Sequence, residues 1–130
     1  GNSFKSPVRV LAMAYPDFKI VVVDWYNVLP KGGFFEEEVD DHAGEQETSV
    51  MLHYHPELVE MERAGDGRVT PGKVPSLEER VGWMPRHWDE VSADTGIGYP
   101  KKATAEKGKR YAEAVVKKVV RLLVELAENR

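Results

Sequence analysis

Asp40-Asp41-His42-Ala43-Gly44-Glu45-Gln46-Glu47-Thr48-Ser49 is the stretch from which the rest of the chain is read. It holds four of the 22 acidic residues and one of the four histidines, so charge and imidazole are concentrated at one place. It runs into the apolar segment Val50-Met51-Leu52-His53-Tyr54 and stops at Pro56. The spacing predicts a helix from about Gly44 to Tyr54. Glu47, Val50, Met51 and Tyr54 then fall at i, i+3, i+4 and i+7, on one face. Glu47 would head a buried stripe, and a buried carboxylate needs a cation, strong hydrogen-bond donors or a metal. The competing reading puts Glu47 simply in the first helical turn, where free N–H groups and the macrodipole favour acids.

Upstream, Phe4, Val8, Leu11 and Tyr15 are spaced 4, 3 and 4, which predicts a helix with Pro7 in its first turn. Phe18-Lys19-Ile20-Val21-Val22-Val23 follows a turn signal and is β-branched and nearly continuously apolar. It reads as a buried strand of a parallel sheet, covered on both faces. Helix, turn and buried strand together predict an α/β fold. In such folds ligands bind beyond the strand ends, here at Asp24-Trp25-Tyr26-Asn27. Trp25 suits a pocket wall or, equally, a cap on the core.

Downstream, residues 60–100 carry little periodicity and many Gly and Pro punctuations. A segment that long is expected to be a lid, a pocket wall or an oligomer arm within a chain otherwise read as one domain, 1–130. Its richest part, Val81-Gly82-Trp83-Met84-Pro85-Arg86-His87-Trp88-Asp89, could stack on a planar or anionic ligand, or anchor a subunit interface. The last element reads as a long helix from Lys102 to Asn129. Tyr111, Val115, Val119, Leu122 and Leu126 form its core stripe, widened by Val116, Val120 and Leu123.

Composition limits the function classes. The net charge is −4 and Lys and Arg are not clustered, which argues against nucleic acid. No apolar run approaches the roughly 20 residues that span a bilayer, and the first residues lack a signal-peptide core. With no cysteine there is neither a disulfide framework nor thiol chemistry, and a cytoplasmic protein is expected. His42, Asp40, Asp41, Glu45 and Glu47 are metal-ligand types, but their spacing matches no closed zinc motif. His53 and His55 point in different directions on a helix and are expected to be structural or surface residues.

Three separated stretches resemble the creatininase (creatinine amidohydrolase) family. Gly1-Asn2 is similar to the end of that family's Gly-His-Gly-Gly-Asn motif. Asp41 to Leu52 with Pro56-Glu57-Leu58-Val59 carries its His-Ala-Gly-Glu-x-Glu-Thr-Ser signature. Gly96-Ile97-Gly98-Tyr99-Pro100 with Ala103-Thr104-Ala105-Glu106-Lys107-Gly108 resembles the Gly-rich loop and start of its final helix. The resemblance implies a three-layer α/β/α fold with a mainly parallel sheet, of which this chain would be the C-terminal half, lacking the first strands. It implies a metal-dependent hydrolase of non-peptide C–N bonds, acting on a small-molecule amide: a cyclic amide such as creatinine, or a formamide. The cofactor would be a pair of divalent ions, zinc, manganese or iron, activating water.

By the same resemblance His42 would be the catalytic histidine and Glu47 a metal-site carboxylate or its support. Asn2 would shape the metal loop, and Trp25, Glu45, Trp83 and Trp88 would line or cover the substrate pocket. The family's Glu-x-His pair, Asp and Gly-His-Gly-Gly-Asn histidine have no counterpart here. The chain alone is therefore expected to bind metal poorly and to need a partner: the missing N-terminal half, or copies of itself as in the family's hexamers. Two other classes remain open, a non-catalytic association module of the same fold and a metal-free binder of a small ligand.

Overall fold

The structure, a computed structural model, describes residues 2–79 and 81–129. The side chains of Asn2 and Ser3 lie outside the described residues, and so does the expected role of Asn2. Five α-helices are described: α1 (Asn2–Ala14), α2 (Glu45–Tyr54), α3 (Pro75–Glu78), α4 (Trp88–Val91) and α5 (Ala105–Glu128). Short 3₁₀ turns lie at Trp25–Asn27, Pro56–Leu58, Met61–Arg63 and Pro100–Lys102. None of the described helices is long and apolar enough to cross a membrane.

The expected three-layer α/β/α fold with a parallel sheet is not what these residues form. Among them there is no β-strand, only two isolated bridges, Gly32 with Phe35 and His42 with Ile97. The run Phe18–Val23 forms no strand: the Phe18 N–H closes a turn on the Tyr15 carbonyl and residues 19–23 carry no regular structure. A strand is defined by ladders to its neighbours, and no bridge among the described residues involves this run. Its burial alternates: Ile20 and Val22 are half-buried while Val21 and Val23 are exposed. That is one covered face, not the two that the apolar run predicts.

The chain divides into two compact units. One comprises residues 1–30 and 113–130. In it α1 begins at Asn2, so Pro7 lies inside the helix and not in its first turn. The ammonium of Lys19 reaches the backbone carbonyls of Leu126 and Asn129, meeting the acceptors left free where α5 ends. Val115 is buried and Val119, Leu122 and Leu126 are half-buried, as the stripe predicts. Val116, Val120 and Leu123 do not widen it, because each is more than half exposed.

The second unit, residues 31–112, holds α2, α3, α4 and the first turns of α5. Tyr111 is fully buried, with Phe35 at 5.1 Å and Phe34 at 5.3 Å between ring centroids. Gly108 sets the approach of α5 to α2. A β-carbon there would lie 1.9 Å from the carbonyl oxygen of Ser49, so only glycine lets the two backbones meet. Ser49 is fully buried, and its hydroxyl accepts the N–H of Thr104 at 3.2 Å. Thr104 in turn accepts the N–H of Lys107 at 3.2 Å, capping the start of α5.

This packing decides which face of α2 is inside. Glu45, Gln46 and Ser49 are buried, while Met51 and Tyr54 are 39% and 53% exposed. The expected stripe headed by Glu47 is therefore not the core face. The polar face is, because Gly108 allows a backbone, and not an apolar side chain, to press against it.

Candidate functional site

The loop that presents His42 is over-determined by its backbone. The N–H groups of Asp41 and His42 donate to the carbonyl of Ile97 at 2.9 and 3.1 Å, and the Ile97 N–H donates to that of His42 at 2.7 Å. Ala43 turns the chain with φ +49°, a left-handed value uncommon outside glycine. Gly98 has φ +120°, and a β-carbon on it would lie 3.0 Å from the α-carbon of Asp40. Gly98 thus serves a close backbone approach to the histidine loop.

Two carboxylates close the start of α2. Asp40, nearly buried, accepts the N–H of Gln46 at 2.8 Å. Burial pushes its carboxyl above the usual carboxylate range, opposed by the Gln46 N–H and by Lys31. Glu47 reaches back from the first turn to accept the N–H of Ala43 at 2.7 Å. This is the first-turn arrangement that competed with a buried Glu47 in the sequence. The same oxygen, Oε2, lies 3.9 Å from Nδ1 of His42, close enough for an ion pair and too long for a hydrogen bond. His42 is about half exposed, and its ring centroid is 4.8 Å from that of Trp88.

Glu45 is the acid that is fully buried, at 0% exposure. Its Oε2 accepts the N–H groups of Glu36 and Glu37, both at 2.8 Å. Its Oε1 meets the Lys107 ammonium at 2.6 Å, which also contacts Glu36 at 2.7 Å and the Lys102 carbonyl at 2.9 Å. With both oxygens engaged and no exposed surface, Glu45 ties residues 36–37 to α2 and α5. Hydrogen bonding to Lys107 holds the Glu36 carboxyl below its usual range, and Glu36, then Glu45, raises the Lys107 ammonium. Lys107 escaped the sequence reading, although it stands in the Glu-Lys-Gly stretch. Nothing local announces a partner 62 positions away.

The other expected pocket residues have the following surroundings. Trp25 packs edge-to-face on Tyr26 at 6.0 Å in the first unit. Trp83 is 85% exposed. Trp88 alone of the three tryptophans is described against His42. A cavity of about 600 Å³ opens between Glu37, Val39, residues 66–69, Gly98, Tyr99 and Lys102, and His42 and Glu47 do not line it. Its charges pair among themselves, Lys102 with Glu37 at 3.1 Å and Arg68 with Asp66 at 3.2 Å.

A divalent ion needs three or more converging donors. Among the described residues no group of three His, Asp or Glu side chains is placed to hold one. His42 and Glu47 offer two at most, and one Glu47 oxygen is already taken by the Ala43 N–H. The described residues by themselves do not fit a metal centre.

Comparison with known proteins agrees with the signature. The family model for creatininase, creatinine amidohydrolase, matches residues 4–123, and the chain belongs to that family. A Bacteroides fragilis protein provisionally named creatinine amidohydrolase superposes with a TM-score of 0.89 at 55% identity. That match covers 95% of this chain and 49% of the other. A mutant creatininase complexed with creatine matches with a TM-score of 0.67 at 25% identity, over 91% of this chain and 48% of that one. Creatininase is also known in manganese and in zinc–zinc forms among these structures. The mycofactocin precursor peptide peptidase of Mycobacterium tuberculosis is 40% identical over 85 residues, 63% of this chain and 31% of that protein. The chain thus spans under a third of that relative and about half of the matched structures.

Proposed function

We propose that this chain carries the acid–base part of an amidohydrolase that cleaves a C–N bond in a small cyclic amide or a formamide. The observation that supports it most is His42 on its rigid turn, with Nδ1 toward the Glu47 carboxylate. That carboxylate faces Nδ1 of the ring, and an imidazole presented in this way is a group of the type that delivers a proton to a leaving nitrogen. Among the described residues Nε2 takes no protein hydrogen bond, which leaves it for the substrate. Glu47 acts by holding His42, and Trp88 by covering it. Glu45, first placed in the pocket, is assigned to the scaffold.

A dinuclear divalent-metal site belongs to this reading as a property of the whole protein, supported by the manganese and zinc–zinc forms of related creatininases. Its further donors would come from outside the described residues. Self-association or a complementary half belongs to it as well. Large apolar side chains stand exposed, Met13 at 84% among them.

A second substrate class has an observation of its own. The mycobacterial relative is a precursor peptide peptidase, and it is more alike in sequence over its matched part than the creatine-bound creatininase. The deciding assay offers the full-length protein creatinine, an N-formylated amine and a short peptide, each with zinc or manganese. Turnover of one of the first two, abolished in His42→Asn, is the expected result. Cleavage of the peptide alone would replace the substrate class, and full activity of His42→Asn would remove the acid–base role.

A further inference from the structure

We propose that residues 81–91 form a strap latched over His42, with Trp88 as the positioning residue for its imidazole. The inference rests on the acid–base reading of His42. Three contacts carry it. The Trp88 ring meets the His42 ring at 4.8 Å with 51° between their planes. The Arg86 guanidinium lies 5.4 Å over the Trp88 ring. The same guanidinium pairs with Asp41, the residue before His42 and 45 positions away from Arg86. The exit of the strap is tied as well. The Thr70 N–H donates to the Val91 carbonyl at 2.7 Å, and Lys73 pairs with Glu90 at 3.1 Å.

Residues 81–90 are otherwise exposed. Ordering such a segment costs about 1–2 kcal/mol per residue in backbone entropy, so its contacts must be specific to hold it. Here they converge on the histidine. A half-exposed imidazole can rotate about two side-chain bonds, and a tilted ring contact on one side with Glu47 beside Nδ1 restricts that rotation. The charge balance is also specific. Arg86 is paired with Asp41, so the strap adds a ring contact beside His42 without adding net charge. Trp83, on the same segment and 85% exposed, has no such contact and serves as the comparison within the strap.

The test is the rate of histidine carbethoxylation by diethyl pyrocarbonate in the full-length protein, read by peptide mass spectrometry. His53 and His55 are internal references. Trp88→Ala should raise the His42 rate about fivefold, the factor that loss of one ring contact opens. Arg86→Gln should raise it less, Trp88→Phe should restore it, and Trp83→Ala should leave it unchanged. On the amide identified by the turnover assay, Trp88→Ala should lower kcat by a similar factor with KM nearly constant. An unchanged His42 rate in Trp88→Ala, or an equal rise at His53 and His55, overturns the strap. If His42→Asn is then inactive, the acid–base reading survives that failure. A raised His42 rate with unchanged turnover overturns the positioning role, and an active His42→Asn removes the acid–base reading with it.

Discussion

Glu45 and Glu47 stand two positions apart in one helical turn and do opposite things. Glu47 was the acid that periodicity marked for burial, but it lies near the surface and satisfies a free N–H at the helix start. Glu45 is the buried one, and the energetic stake is on it. Removing a buried charge from a satisfied network leaves its partners unpaired. Glu45→Gln should therefore cost about 3 kcal/mol, visible as a lower urea midpoint. A shift no larger than that of a surface glutamate would mean that Glu36 alone satisfies Lys107. Asp40 makes a prediction of the opposite sign. Its folded carboxyl is raised by burial, so the stability it contributes is whole below the unfolded value and is lost as pH rises through the folded one. Asp40→Asn keeps an oxygen for the Gln46 N–H. It should be at least as stable as the parent at neutral pH, with the advantage vanishing near the ordinary carboxylate range. Chemical denaturation at two pH values measures this.

Among the elements, α2 and α5 meet at a point where no side chain intervenes. The β-carbon of an alanine at position 108 would lie 1.9 Å from one backbone atom and 2.3 Å from another, and neither can swing aside. Gly108→Ala should cost about 3 kcal/mol, although alanine is the better helix former. A thermal melt decides it: a Tm equal to or above the parent would show that α5 can slide away from α2 freely. Helix positions were legible because 3.6-residue periodicity and capping residues act locally. Gly44 before α2 and Thr104 before α5 are such local signals. Which face of α2 goes inward was not legible, because that depends on Gly108, some sixty residues on. The run Phe18–Val23 misled for the related reason that strand pairing is settled by neighbours and not by the run itself.

For the molecule as a whole, exposed Phe4, Val10, Met13, Phe18, Val81, Trp83 and Leu123 describe a surface richer in apolar groups than an isolated domain usually shows. The chain spans about half of the structures it matches. The 130-residue chain alone is expected to sediment as more than a monomer at micromolar concentration, and the full-length protein to show a defined assembly. A stable, monodisperse monomer of this chain would mean that its apolar groups need no cover. Among the described residues no three His, Asp or Glu side chains converge, and His42 and Glu47 lie 3.9 Å apart without a third donor.

What the sequence by itself determined is what local chemistry carries: the helices α2 and α5, the core stripe of Tyr111 and Val115, and the His-Ala-Gly-Glu-x-Glu-Thr-Ser signature that marks the family. These follow from spacing, capping and a motif contiguous in the chain. Only the tertiary structure decided that Glu45 is buried and Glu47 the neighbour of His42, that Lys107 answers Glu45 across 62 positions, and that Arg86 and Trp88 reach the histidine loop. Such pairings depend on how the chain returns upon itself, and no periodicity within one segment encodes which distant side chain will complete a buried charge.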